Sequence, residues 1–323
     1  LHSPLSTLHS PPSSIMFLGF LAATGTLLSW SVGTFAFLRA SRKIDPGLLN
    51  RARLMLAVCA TLILASVTVV AWPWEIVTRT TFQSWLWLGL SGIVGLTIGD
   101  LFGFTSLRIL GARRQSVIGT LSPAAAAAAA LLLLNEHISL IDIAGITITL
   151  VGVITATYSS QEKDDVANEG YGSFFWGAVL GVGGAIFQGV GLVLAKKGMM
   201  SDSGLAMIAP FHATFVRMTI GFMATYALDV LRRAPHRPLR DAFSDSPSRN
   251  AMLLGALSGP VIGVTLSLLA AQQLPAAIAQ TIFSLVPFVV MIIARIVYHE
   301  PLRLRSVLGA VISVIGVLIL VMY

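Results

Sequence analysis

The sequence repeats itself at a fixed offset of 164 residues, with no gap needed to keep the register. Pro123, the alanine run Ala124 to Ala130, Asn135-Glu136, Gly145 and Gly152 return as Pro287, a second apolar run, His299-Glu300, Gly309 and Gly316. Upstream, Gly19, Gly25, Gly95 and Gly99 return as Gly183, Gly189, Gly259 and Gly263. Pro46, Arg53 and Ala60-Thr61 return as Pro210, Arg217 and Ala224-Thr225. A constant period over nearly the whole chain is an internal duplication, and any fold must be two copies of one unit. The halves are 15–158 and 174–323. A Ser- and Pro-rich lead-in, 1–14, is expected to be disordered, with Met16 a candidate start. A hydrophilic linker, 159–173, divides the halves.

Hydrophobic residues make up 55% of the chain and charged residues 11%, with a mean hydropathy of +0.84. A soluble domain is nearer a quarter charged, so these values describe an integral membrane protein. The net charge of +7 does not point to nucleic acid, because the basic residues sit in short strips between apolar runs and such strips orient membrane proteins. The single cysteine, Cys59, lies inside an apolar run and is expected to be a small packed residue. Neither a metal-ligand spacing nor a nucleotide loop is present, so no metal and no cofactor is expected.

Ten apolar runs fall near 15–38, 46–71, 85–107, 112–134, 138–158, 174–195, 204–231, 251–270, 275–298 and 302–322. Unpaired backbone is not tolerated in hydrocarbon and the runs are too long for barrel strands, so the expected fold is all-α with ten transmembrane helices. Joints at 108–111, 135–137 and 271–274 are short and imply antiparallel neighbours, whereas 159–173 and 232–250 read as solvated connections. Five helices per half is odd, so the second half must insert upside down, giving two five-helix inverted-topology repeats. Fourteen Lys and Arg fall in the odd-numbered loops, against Arg79, Lys196 and Lys197 in the others. That bias predicts cytoplasmic odd loops and external termini.

The repeated unit has a plain physical content. Two apolar helices, opened by Pro123 or Pro287, meet at a turn, and Glu136 or Glu300 stands at the start of the second helix. A carboxylate there faces unpaired N–H groups and the positive end of the helix dipole, which gives both acids a structural reading. These paired Pro…Glu…Gly…Gly units, the Pro…Arg units of helices 2 and 7, and ten spans in two halves resemble the EamA branch of the drug/metabolite transporter superfamily. The resemblance implies a carrier of small metabolites in the cytoplasmic (inner) membrane, often an exporter. Asn135 and His299 stand where the family usually has Gly, and family members are commonly drawn with cytoplasmic termini, opposite to the charge count.

Asp100 is the one acid deep inside an apolar run, and an ionised group at that depth is a functional candidate by default. Its bland reading is a structural pair with Arg108, eight residues on, or with another arginine; its repeat partner is Val264. Gly89, Gly92, Gly95, Gly99 and Gly103 gather on one side of helix 3, with Asp100 at the edge of the strip. On helix 6, Gly177, Gly181, Gly184, Gly191 and Ala195 share a face, with Gln188 in its middle. Small residues let helices approach closely and an amide there can bond across them. Arg53 and Arg217 are repeat-matched and suit a shared architectural role, while His212 is unmatched and titrates near neutrality. Trp30 and Gln280 face the expected cavity by analogy with the family.

The reading this favours is a secondary transporter of a small organic metabolite or drug-like solute, working by alternating access, with protons as candidate coupling ions and Asp100 as the coupling group. Its partners are the solute and the lipid bilayer. A membrane-embedded hydrolase using Ser91 and His212 is the alternative, resting on a four-residue match at Gly89-Leu90-Ser91-Gly92.

Overall fold

A computed structural model describes residues 13–41, 43–69, 80–159, 173–200, 208–231, 238–298 and 304–322. Residues 1–12 of the lead-in, 160–172 of the linker, and Glu300 lie outside the described residues. Within them the chain is helical, without strand. In chain order, α1 is Ser13–Ser41 and α2 is Pro46–Val69; α3 joins Phe82–Ser91, a π-helical stretch Gly92–Gly99, and Asp100–Gly119. Then come α4 (Ser122–Leu134), α5 (Leu140–Ser159), α6 (Phe174–Met199) and α7 (Pro210–Leu231). α8 joins Ser246–Ala256, a π-helical stretch Leu257–Gly263, and Val264–Gln273. α9 is Ala276–Phe283 followed by Val286–Tyr298, and α10 is Leu304–Met322. Six stretches are long and apolar enough to cross a membrane: Ile15–Phe37, Gly47–Val67, Phe82–Leu110, Phe174–Met199, Pro210–Leu231 and Ser246–Gln273. Four shorter apolar helices, Ser122–Leu134, Leu140–Thr155, Ala276–Val290 and Val307–Leu320, accompany them.

Several boundaries differ from the sequence reading. The joint placed at 108–111 is helical. The chain nevertheless turns back close by. Ser106 Oγ and Ile118 Cγ2 meet the same point beside Gly181, at 2.7 and 3.1 Å, although twelve residues of straight helix would part them by about 18 Å. The run expected at 112–134 is broken at Thr120–Leu121, and that expected at 275–298 at Ser284–Leu285. Both breaks come just before the N-terminal proline of the repeat, whose ring and missing N–H disrupt a continuing helix. α7 begins at Pro210 rather than at 204, Ile208 and Ala209 being non-helical. The segment 232–250 is not all connection, since Leu239–Phe243 forms a 3-10 turn and α8 starts at Ser246. Cys59 is exposed on the outside of α2 instead of packed, among apolar neighbours such as Ile63 and Val67 that also face outward.

The duplication is visible in the packing. α5 and α10, the last helices of the two halves, lie antiparallel with their motif glycines in contact: a Cβ on Gly152 would stand 2.6 Å from Gly309 O, and one on Gly316 would stand 2.7 Å from Gly145 O. Thr149 and Ser313, repeat partners, meet between them, Ser313 Oγ lying 3.3 Å from Thr149 O. The glycine faces of α3 and α6 also press together, with Gly191 against Gly95 and Gly184 against Gly99 and Gly103. In the other half, Gly259 of α8 faces Gly33 of α1. Each half's third helix thus packs on the other half's first. A side chain at position 152 has nowhere to go, whereas a Cβ on Gly119 meets nothing within 4 Å. Gly152→Leu is expected to cost on the order of 3 kcal/mol, the upper range for overpacking, and Gly119→Ala less than about 1 kcal/mol. Thermal unfolding in detergent checks the pair.

Charged contacts mark the two ends. At one, Arg51 meets Asp229 (3.2 Å), Arg108 meets Asp45 (3.3 Å) and Lys43 meets Asp245 (2.9 Å). Asp245 caps α8 by accepting from Ser248 N and Ser248 Oγ at 3.0 and 2.6 Å. The Ser248 hydroxyl, then Lys43, then the Ser248 amide hold its carboxyl at about 2 instead of the ordinary 3.8. A depressed pKa contributes stability that is fully present above the unfolded value and is lost as pH falls through the folded one. On acidification from about pH 5 to about pH 2, the melting temperature of wild type should therefore fall more than that of Asp245→Asn. Equal falls would show that the cap contributes nothing.

Candidate functional site

The two π-helical stretches, Gly92–Gly99 and Leu257–Gly263, occupy matching places in the two halves. A wider turn displaces carbonyls from their regular partners, and inside a bilayer these must be satisfied by protein. Neighbouring side chains supply the donors. Asn50 Nδ2 donates to Leu96 O at 3.2 Å and Gln188 Nε2 to Gly95 O at 3.3 Å. On the other side, Ser29 Oγ donates to Ser258 O at 2.5 Å. Asp100 is the first residue after the first π stretch, so its carboxylate emerges where the helix is locally unwound.

That carboxylate is fully engaged. Arg53 Nη2 of α2 donates to Asp100 Oδ2, and Gln188 Nε2 of α6 donates to Oδ1 at 2.5 Å. Arg53 is held in turn by Asn50, whose Oδ1 accepts from Nε at 2.9 Å, and its guanidinium lies 5.8 and 5.1 Å from the ring centres of Phe37 and Phe104. Arg217 of α7, the repeat partner of Arg53, is buried beside Gly95 and within electrostatic reach of Asp100. The pairing with Arg108 considered from the sequence does not occur, because Arg108 turns to Asp45.

A cavity of about 330 Å³ opens beside this cluster. Both halves line it: Trp30, Phe37, Arg53, Asp100 and Phe104 from the first, and Gln188, Pro260, Gln280, Phe283 and Pro287 from the second. It reaches past Phe104 and Leu107 toward the end that carries Arg108. Trp30 packs edge-on against Phe283 with ring centres 5.1 Å apart, and Gln280 Nε2 donates to Ser122 Oγ at 2.7 Å. The break between α3 and α4 and the break within α9 meet the cavity, through Thr120, Ser122 and Ser284.

Of the residues singled out in the sequence, Asp100, Gln188, Trp30 and Gln280 converge on one cavity. Arg217 stands behind its wall, and His212 is buried near the start of α7, away from the lining. Pro123 is buried at the first turn of α4, and Pro287 reaches the cavity. Glu136 is engaged at a helix start, but not that of α5, which Ser139 and Asp142 cap reciprocally. Its Oε2 accepts from Ala276 N of α9 at 3.0 Å, and its Oε1 pairs with Lys196 at 2.6 Å. Asn135 takes the left-handed turn before it, with φ of 53°, a conformation that Asn adopts more readily than most residues. Asn50, Phe37, Phe104 and Ser122 were not foreseen. Their signal was helical spacing: Asn50 is one turn before Arg53 and Phe104 one turn after Asp100.

A family model described as the EamA-like transporter family matches residues 17–158 and 175–322. The chain belongs to the EamA-like transporter family. EamA proteins are transporters of the drug/metabolite superfamily and not enzymes. A crystal structure of a protein 17% identical in sequence superposes with a TM-score of 0.71, covering 96% of this chain and 97% of that one. At that identity the likeness concerns fold alone. Among curated proteins none matches. The hydrolase alternative also lacks geometry, since Ser91 Oγ spends its hydrogen on Gly191 O at 2.5 Å and neither Ser91 nor His212 lines the cavity.

Breaking a buried ion pair from one side strands a charge and costs about 3–5 kcal/mol, whereas removing both charges costs less. Asp100→Asn and Arg53→Gln should each lower the melting temperature, and the double variant should recover part of the loss. Additive losses in such a cycle would show that the two side chains do not support each other.

Proposed function

We propose that this EamA protein is a secondary transporter that moves a small organic solute through the cavity between its halves by alternating access, in the export direction. The observation that carries the reading is the cavity itself, built by both repeats and bordered by helices that break at its wall. Inverted-repeat carriers place their solute sites at such broken helices between the repeats. In this reading all ten helices span the cytoplasmic membrane, α5 and α10 as a central antiparallel pair, and the two halves are 15–158 and 174–323. Asp100 is the coupling group. Arg53 from α2 and Arg217 from α7 face it, together with the neutral Gln188 from α6. Its charge can change only in a state where Arg53 has moved away.

Gly103 gives a direct test. It lines the cavity, and a Cβ there has only Gln115 Nε2 nearby, at 4.0 Å, so the side chain of Gly103→Trp should project into the space and not toward Gly184. Cells expressing wild type are expected to enrich the medium in one class of metabolite by mass spectrometry. Cells expressing folded Gly103→Trp should not, and Asp100→Asn should lose the dependence of that export on external pH. Identical media from wild type and the plugged variant would overturn the reading.

A further inference from the structure

The charges around the cavity are unequal, and the inequality bears on the solute. Among the described lining residues only Arg53 and Asp100 are charged, and they are paired to each other. Arg217 adds a second buried cation in reach of the same carboxylate, and its Nε has no hydrogen-bond partner among the described residues. One acid thus stands against two guanidinium groups. Burying an uncompensated charge is costly unless something pairs with it.

The hydrogen bonds point the same way. Both Asp100 oxygens are occupied, one by Arg53 and one by Gln188. A cationic solute would have to displace a donor and then sit beside two arginines. Arg53 is less fully used: Asn50 takes its Nε and Asp100 its Nη2, which leaves Nη1 without a partner among the described residues. The Phe37 and Phe104 rings keep the guanidinium in place through cation–π contact, and a fixed guanidinium fork suits a carboxylate. Elsewhere the cavity wall is apolar at Trp30, Phe283 and Val264, with amides at Gln188 and Gln280.

We propose that the cavity takes a small amphipathic organic anion, its carboxylate on the Arg53 guanidinium and its apolar body against Trp30 and Phe283. Asp100 is then an internal counter-ion that occupies Arg53 when no anion is bound and competes with the solute's carboxylate for it. The proposal rests on the transporter reading for the site's purpose, and is tested by equilibrium binding, which does not require transport.

Purified full-length protein in detergent is titrated calorimetrically with phenylacetate, phenylacetamide and 2-phenylethylammonium, three probes with one apolar body and three charges. Phenylacetate should bind, with the amide weaker and the ammonium ion weakest. Arg53→Gln should weaken phenylacetate by roughly tenfold or more, and Arg53→Lys should retain an intermediate affinity. Asp100→Asn frees Arg53 and should tighten phenylacetate severalfold, the opposite of what a cation site would do. The proposal is overturned if the ammonium ion binds as well as the carboxylate, if none of the three binds, or if Asp100→Asn weakens phenylacetate. Should Arg53→Gln fail to fold, Arg53→Lys and Asp100→Asn still decide the sign. Ammonium preference with intact solute export would sink the charge class and leave transport standing. Carboxylate binding in a protein whose plugged variant exports normally would do the reverse.

Discussion

Hydrocarbon gives apolar helices no solvent to escape from, so this fold depends on how closely backbones approach and on leaving no backbone group unpaired. The glycines answer the first demand. At α5–α10, α3–α6 and α1–α8, helices meet where one or both carry no side chain, and added Cβ atoms would strike backbone at Gly152, Gly316 and Gly191. The second demand becomes acute at the π stretches, where wide turns offer carbonyls to other helices. Asn50, Gln188 and Ser29 meet it with bonds that cross between elements. The same side chains that satisfy the backbone therefore fix the wall of the cavity. Gln188 does both at once, bonding Gly95 O and Asp100 Oδ1.

The cavity owes its chemistry to broken symmetry. Arg53 and Arg217 are repeat partners, and a symmetric pair would see symmetric surroundings. They do not, because Asp100 stands where the second half has Val264. One acid on α3 draws Arg53 into an ion pair and lies within reach of Arg217 from the opposite half. Duplication supplied matching helices and matching cations, and divergent positions, Asp100 against Val264, Asn50 against Thr214 and Gln188 against Thr24, turned one of two similar places into a polar one.

Much of the architecture was legible in the sequence because its causes are local or periodic. The duplication, the helical runs and the glycine strips follow from spacing alone, and the contact of the α3 and α6 strips is what small-residue faces imply. The partner of Asp100 was not legible. Arg108 is near in sequence, but Arg53 is brought close by the packing of α2, and spacing carries no record of that. The first π stretch is not legible because its residues keep the apolar character of an ordinary helix, whereas the second carries Pro260 within it. The turn near 108–111 shows why one half misled the other. Pro275 ends the helix in the second half, lacking an N–H to continue it, whereas its repeat partner, Gly111, lets the first half stay helical as it turns.

The same divergence separates the two ends of the molecule. Away from the basic loops, Glu136 of the first half binds Lys196 and Ala276 N of the second, and Lys196 Nζ also donates to Leu274 O at 2.7 Å. Lys197 continues the network, donating to Leu133 O at 3.2 Å and lying 4.4 Å from the centre of the Trp87 ring. Three joints, between α4 and α5, after α6, and between α8 and α9, are thereby tied across the halves. The repeat partner of Lys196 is Val32, so the same residues cannot build an equivalent tie at the opposite end. Ion pairs this shielded from water are held more firmly than exposed ones; Lys196 and Glu136 are 13% and 17% exposed. The cavity lining reaches Leu107, next to Arg108; Arg108 and Asp45 are 29% and 49% exposed, against 5% and 19% for Arg51 and Asp229 at the same end.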